Sequence, residues 1–179
     1  MGEKYYEIEP IGHGHFGSAY DVGFNKILKL TRDEKEYDNA QILQNKDTEH
    51  LVKIFKSDVI DLGEGGKGIY WAILMEKLIK PSKNVIDIVD TLTFNDFPGK
   101  YEHWYEKSLY NIEQFPEKEL NSWLLDTFEN ENTVNNARHI LKQMIEIKKE
   151  AKEMGMSTVD LHGGNVGFKH DKLVLFDLG

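Results

Sequence analysis

The side chains with the clearest capacity for chemistry lie late in the chain. They fall in Val159-Asp160-Leu161-His162-Gly163-Gly164-Asn165-Val166-Gly167-Phe168 and in Leu173-Val174-Leu175-Phe176-Asp177-Leu178-Gly179. The apolar alternation predicts loop, strand, turn, strand, with Asp160, Asn165 and Asp177 at the strand ends. Two carboxylates and an amide gathered in this way make an oxygen-rich site, and a hard cation such as Mg²⁺ takes oxygen ligands. Asp160 also reads as an Asx-turn residue, and Asn165 as a loop amide that caps backbone groups.

A second cluster lies near the start. Gly12-His13-Gly14-His15-Phe16-Gly17 has the spacing G-x-G-x-x-G, which in a dinucleotide-binding unit opens a helix. Here Ser18-Ala19-Tyr20-Asp21-Val22 follows, then the turn Gly23-Phe24-Asn25 and the apolar run Lys26-Ile27-Leu28-Lys29-Leu30. These are strand patterns, so the glycines are expected at a hairpin tip. Backbone amides there can approach phosphate oxygens because no Cβ intervenes. A plain flexible turn gives the same pattern. Lys29 follows the hairpin on its own strand, where a lysine can also simply snorkel to solvent. Asp33 and Glu36 are spaced as a capping pair before a helix through Tyr37, Ala40, Ile42 and Leu43. Glu36 is therefore either a first-turn residue favoured by the helix dipole or an ion-pair partner of Lys29.

The elements that must position these residues follow from periodicity and breakers. Strands are predicted over His50–Lys56 and Ile69–Glu76, with a glycine loop over 63–68 between them. Lys80-Pro81-Ser82 interrupts the pattern. A boundary is placed near 76–82, giving an N-terminal lobe over 1–78 and a second part over 79–179. That second part reads as helical: a helix from Val85, a loop over Asn95–Gly99, helical spacing from Tyr101 to Ile112, and a helix from Pro116 to Phe128. The clearest helix carries Val134, Ala137, Ile140, Leu141, Met144, Ile145 and Ile147 and stops at Gly155. The aromatic stripe over 101–128 reads as core.

Composition excludes several classes. A chain of 179 residues, 40% hydrophobic and 30% charged, has ordinary globular balance and room for one core or two small lobes. A formal charge of −9 argues against nucleic acid as a partner. The absence of cysteine excludes disulfide and thiolate chemistry and fits a reducing cytosol. The first residues lack a signal-peptide core, and no apolar run is long enough to span a membrane, so a cytoplasmic location is expected.

Taken in order, these segments resemble the protein-kinase-like superfamily. Gly12 to Val22 is similar to its glycine-rich loop, including the aromatic before the third glycine. Lys29 matches the strand lysine and Glu36 its helix partner, while Ile73-Leu74-Met75-Glu76-Lys77-Leu78 resembles the hinge. Asp160 and Asn165 match D-x-x-x-x-N, and Asp177-Leu178-Gly179 matches D-F-G with Leu for Phe. The resemblance implies an α+β, bilobal fold with an N-terminal antiparallel sheet, one helix beside it, and a reduced, mostly helical C-terminal lobe. It also implies ATP and Mg²⁺ as ligands. Gly12, Gly14 and Gly17 would line the phosphates, Lys29 with Glu36 as its partner would hold them, and Met75 and Glu76 would flank adenine. Asp160 would be the base or the orienter of the acceptor hydroxyl, with Asn165 and Asp177 on metal.

Three features depart from the typical protein kinase. Thr158 and Val159 precede Asp160 where His and Arg are usual, which argues against activation by a phosphorylated loop. His162 stands where a lysine near the transferring phosphate is usual, and would support it with partial charge. Asp160 to Asn165 is closer to the D-L-H-x-x-N loop of atypical and small-molecule kinases, such as aminoglycoside or lipid-head-group phosphotransferases. The sequence stops at Gly179, before the activation segment and acceptor-binding helices of that family, and a long interval after Glu76 leaves room for a helical insertion at roughly 95–130. The expectation is a minimal phosphotransferase acting on a protein or small-molecule hydroxyl. Its alternative is a binding module that acts through a protein partner completing the reduced lobe.

Overall fold

A computed structural model of the chain describes residues 9–61, 63, 68–94, 116–128, 130–156 and 159–179. The chain divides into two compact units. The first holds the described residues up to Thr48, then Val52–Lys77 and Leu178–Gly179; the second holds Glu49–Leu51 and Leu78–Asp177.

The first unit is a five-stranded antiparallel sheet with one helix. Its strands are β1 (Gly12–His13), β2 (Gly17–Gly23), β3 (Lys26–Thr31), β4 (Ile54–Asp61) and β5 (Ile69–Glu76), in the order β1-β2-β3-β5-β4. Phe24 and Asn25 between β2 and β3 take φ of 51° and 59°, the mirror-image turn whose twist matches a tight hairpin. Apolar β5 is flanked by strands on both sides, and Ala72, Ile73 and Met75 are buried there. Helix α1 (Glu34–Leu43) starts at Asp33, whose carboxylate accepts the N–H groups of Lys35 (3.0 Å) and Glu36 (3.4 Å). Its buried face consists of Glu36, Asn39, Ala40 and Leu43, an i, i+3, i+4, i+7 stripe of which half is polar.

The strand expected over His50–Lys56 begins only at Ile54 and runs on to Asp61. Glu49–Leu51, ahead of it, belong to the second unit. Leu51 forms a parallel bridge with Leu175, and the Glu150 carboxylate accepts the N–H groups of Glu49 (2.8 Å) and His50 (2.6 Å).

The second unit contains α2 (Lys83–Phe94), α3 (Glu117–Phe128), α4 (Glu131–Glu153) and the hairpin β6 (Val166–Lys169) and β7 (Lys172–Leu175). Asn130 caps α4 by accepting the N–H groups of Asn132 (3.0 Å) and Thr133 (3.2 Å). Gly155, just past its end, takes the positive φ (82°) that stops a helix without a Cβ penalty. The expected apolar stripe of α4 lies in the core: Val134, Ala137, Ile140, Leu141, Met144, Ile145 and Ile147 are all buried, as are Val89, Leu124, Leu173 and Leu175. Gln143, on the same helix, accepts the Leu173 N–H at 2.5 Å and so fixes β7 to α4. The loop over Asn95–Gly99 and the helical spacing from Tyr101 to Ile112 fall outside the described residues.

The chain is α+β, with an antiparallel N-terminal sheet and four α-helices among the described residues. No helix among them is long and apolar enough to cross a membrane.

Candidate active site

In the first unit, Ala19, Lys29 and Ile73 are cross-strand partners on β2, β3 and β5, so they share one face of the sheet. Glu36, in the first turn of α1, forms an ion pair with Lys29, the two side chains being 3% and 14% exposed. Both meanings of Glu36 in the sequence hold together. Its N–H completes the Asp33 cap, and its carboxylate meets the Lys29 ammonium.

The glycine hairpin closes through a hydrogen bond from the Gly14 N–H to the Gly17 carbonyl (2.9 Å). A Cβ on Gly17 would stand 2.1 Å from the Leu30 carbonyl oxygen, so packing against β3 demands glycine there. Gly12 and Gly14 are different. Among the described residues, a Cβ on Gly12 would meet nothing within 4 Å, and one on Gly14 only the Gly17 oxygen at 3.9 Å. The sheet itself does not require them.

At the end of β5, Met75 is buried, and the Glu76 carboxylate accepts the Lys53 N–H (2.8 Å). The N–H groups of Glu76 and Lys77 donate to Lys53 and Asn25 carbonyls, each at 3.0 Å. Lys77 also reaches Asp21 (2.5 Å), and this hydrogen bond, with that of the Gly23 N–H, holds the Asp21 carboxyl below its ordinary pKa.

In the second unit, Asp160, His162 and Asn165 are brought together by a single 3₁₀ turn, Gly163–Asn165. Asn165 Nδ2 donates to the Asp160 carbonyl (2.9 Å) and lies 3.4 Å from Asp160 Oδ2. His162 caps the turn, its Nδ1 accepting the Gly164 N–H (3.0 Å), and its Nε2 lies 3.6 Å from Asp160 Oδ2. The Asp160 side chain is 60% exposed, open to an incoming group. Asn165 also accepts the Phe176 N–H (2.9 Å) on its backbone carbonyl, which places Asp177 one residue beyond that contact.

Helix α2 holds this turn through two side chains that the sequence pattern does not single out. Asp90 accepts the Gly163 N–H (2.7 Å), and Thr93 donates its hydroxyl to the Leu161 carbonyl (2.9 Å). The available signal was two polar residues three apart, hence on one face, of a helix that also carries Lys83, Asn84, Asp87 and Thr91. The turn lies so close to α2 that a Cβ on Gly163 would stand 2.7 Å from Ile86 Cγ2 and 2.8 Å from the Ile86 carbonyl.

Leu178, which follows Asp177, is wholly buried in the first unit, and its carbonyl accepts the Asn39 amide N–H at 2.6 Å. Glu36 and Asn39 lie three apart on α1, so the helix that carries the Lys29 partner also grips the segment after Asp177. Replacing Asn39 by the near-isosteric leucine leaves a buried carbonyl without its donor. The expected loss is about 1–2 kcal/mol in denaturant unfolding; unchanged stability would mean that the carbonyl finds another donor.

No protein-family model matches the chain, and no curated protein sequence matches it. Among solved structures it is similar to one described as the streptomycin–ATP–APH(2″)-IIa ternary complex. The identity is 14%, over 98% of this chain and 66% of that chain, with a TM-score of 0.32. The chain thus spans just under two thirds of that protein's length.

Proposed function

We propose that this chain binds ATP with Mg²⁺ and transfers the γ-phosphate to a hydroxyl group of a protein or a small molecule. The observation that carries this is the buried Lys29–Glu36 pair. Burying an ammonium with a carboxylate contributes little net stability, because desolvation offsets the attraction. A small fold that keeps such a pair holds the ammonium at a fixed place, and a polyphosphate is the anion suited to it.

The other residues take roles around that contact. Gly12 and Gly14, which the sheet does not need, let the hairpin backbone approach phosphate oxygens, while Gly17 keeps the hairpin on β3. Met75 and Glu76 lie beside the purine, at the end of β5 where the Glu76 and Lys77 N–H groups are engaged by the Lys53 and Asn25 carbonyls. Asn165 turns Nδ2 to Asp160, and its Oδ1 and the Asp177 carboxylate are the oxygen donors that would hold magnesium. Bound there, magnesium supplies charge neutralisation on the phosphates. Asp160 takes the proton of the acceptor hydroxyl as that oxygen bonds to the γ-phosphorus; the bond from phosphorus to the β–γ bridging oxygen breaks, and ADP leaves.

The test is thermal unfolding with ATP and Mg²⁺ alongside transfer of labelled γ-phosphate to protein and to small alcohols and sugars. A raised melting temperature with transfer supports the proposal. A raised melting temperature without transfer favours a nucleotide-holding binding module, and indifference to ATP removes both.

A further inference from the structure

We propose that His162 is a positioning residue for Asp160, holding the carboxylate by Oδ2 so that Oδ1 is presented to the acceptor hydroxyl. This rests on Asp160 being the base of the phosphotransferase proposed above. It replaces the expectation that His162 lies against the transferring phosphate.

The two ring nitrogens have separate tasks. Nδ1 accepts the Gly164 N–H at 3.0 Å, so it carries no proton, and the proton of the neutral ring is on Nε2. Nε2 is 3.6 Å from Asp160 Oδ2. That is longer than a direct hydrogen bond but close enough for the N–H dipole to act on the carboxylate. Asn165 Nδ2 approaches the same oxygen at 3.4 Å while bonding the Asp160 carbonyl at 2.9 Å. Two N–H groups therefore converge on Oδ2 from the two ends of the same short turn.

The neighbouring glycines fit this arrangement. A Cβ on Gly164 would stand 2.7 Å from His162 Cε1 and 3.1 Å from Nδ1, so the ring lies over a position where any side chain would displace it. Gly163 brings the turn against α2, where Asp90 holds its N–H. A lysine, with three donors and no acceptor, could not cap Gly164. The histidine is thus suited to a contact that a phosphate-binding lysine at this position could not make.

The test separates the two nitrogens. In His162→Asn, the amide oxygen replaces Nδ1 as acceptor for the Gly164 N–H but cannot reach Asp160. The melting temperature and the KM for ATP should hold, while kcat falls on the order of tenfold to a hundredfold, as expected for a misplaced catalytic group. In His162→Gln, the longer amide reaches toward Asp160 and should recover part of kcat while the melting temperature drops with the lost cap. A wild-type kcat in His162→Asn overturns the proposal, and so does a rise in KM that accounts for the whole loss.

A readout independent of turnover is long-range ¹H–¹⁵N NMR of the imidazole in the intact chain, above the ordinary titration range of histidine. The Nε2–H tautomer is expected, with an Nε2 signal that moves in Asp160→Asn. An Nδ1–H tautomer overturns the positioning contact whatever the activity. The expected tautomer in a wild type that transfers no phosphate overturns the phosphotransferase proposal instead.

Discussion

Asp160→Asn is expected to slow phosphoryl transfer about 10²–10⁴-fold, the range by which a positioned general base accelerates a reaction. The substitution keeps the shape of the side chain and removes its capacity to take a proton. Asp160 is 60% exposed, and the Asn165 contact at 2.9 Å is to its backbone carbonyl, so folding should be little affected. Affinity for ATP should also hold, since phosphate contacts are assigned to Lys29 and the hairpin. Single-turnover transfer of labelled phosphate, read beside nucleotide titration, distinguishes loss of chemistry from loss of binding. A variant that transfers at the wild-type rate would show that Asp160 is a turn residue and nothing more.

The second large effect concerns Lys29 and Glu36. Glu36→Leu removes the carboxylate that pairs with Lys29, whose side chain is 14% exposed, and the expected loss of stability is about 1–3 kcal/mol, the range for deleting one partner of a charged contact. Lys29→Met with Glu36→Leu removes both charges, and apolar replacement of a buried pair is often neutral or stabilising. The double variant should therefore recover most of the stability lost in the single one. It should not recover nucleotide binding, because the ammonium is gone. Chemical unfolding and ATP titration of both variants give the two answers separately. A double variant that still binds ATP at the wild-type level would remove Lys29 from the phosphate site.

How legible each feature was depended on how local its cause is. The hairpin turn at Phe24 and Asn25, the Asp33 cap and the α4 stripe each depend on residues within a turn or a few turns of one another. Periodicity and capping chemistry act over that range, so these elements could be read directly. The start of β4 could not, because Leu51 and His50 are drawn to β7 and to Glu150 on α4, and no local pattern encodes that competition. Asp90, Thr93 and Asn39 were missed for a related reason. Each supports a backbone group far along the chain, and only the placement of its helix shows which group that is.

By itself the sequence determined the hairpin before Lys29 and the close spacing of Asp160, His162 and Asn165, while the α+β class came from the family that the order of segments resembles. The first two follow from interactions between near neighbours, where side-chain pattern and backbone preference suffice. Only the tertiary structure decided that Glu36 pairs with Lys29 as well as serving the helix start, that among the described residues packing requires Gly17 but not Gly12 or Gly14, and that His162 gives one nitrogen to Gly164 and turns the other to Asp160. These depend on which of several available partners comes within a few ångströms. That choice is made when helices and strands pack, because each polar group then takes the partner that packing leaves within reach.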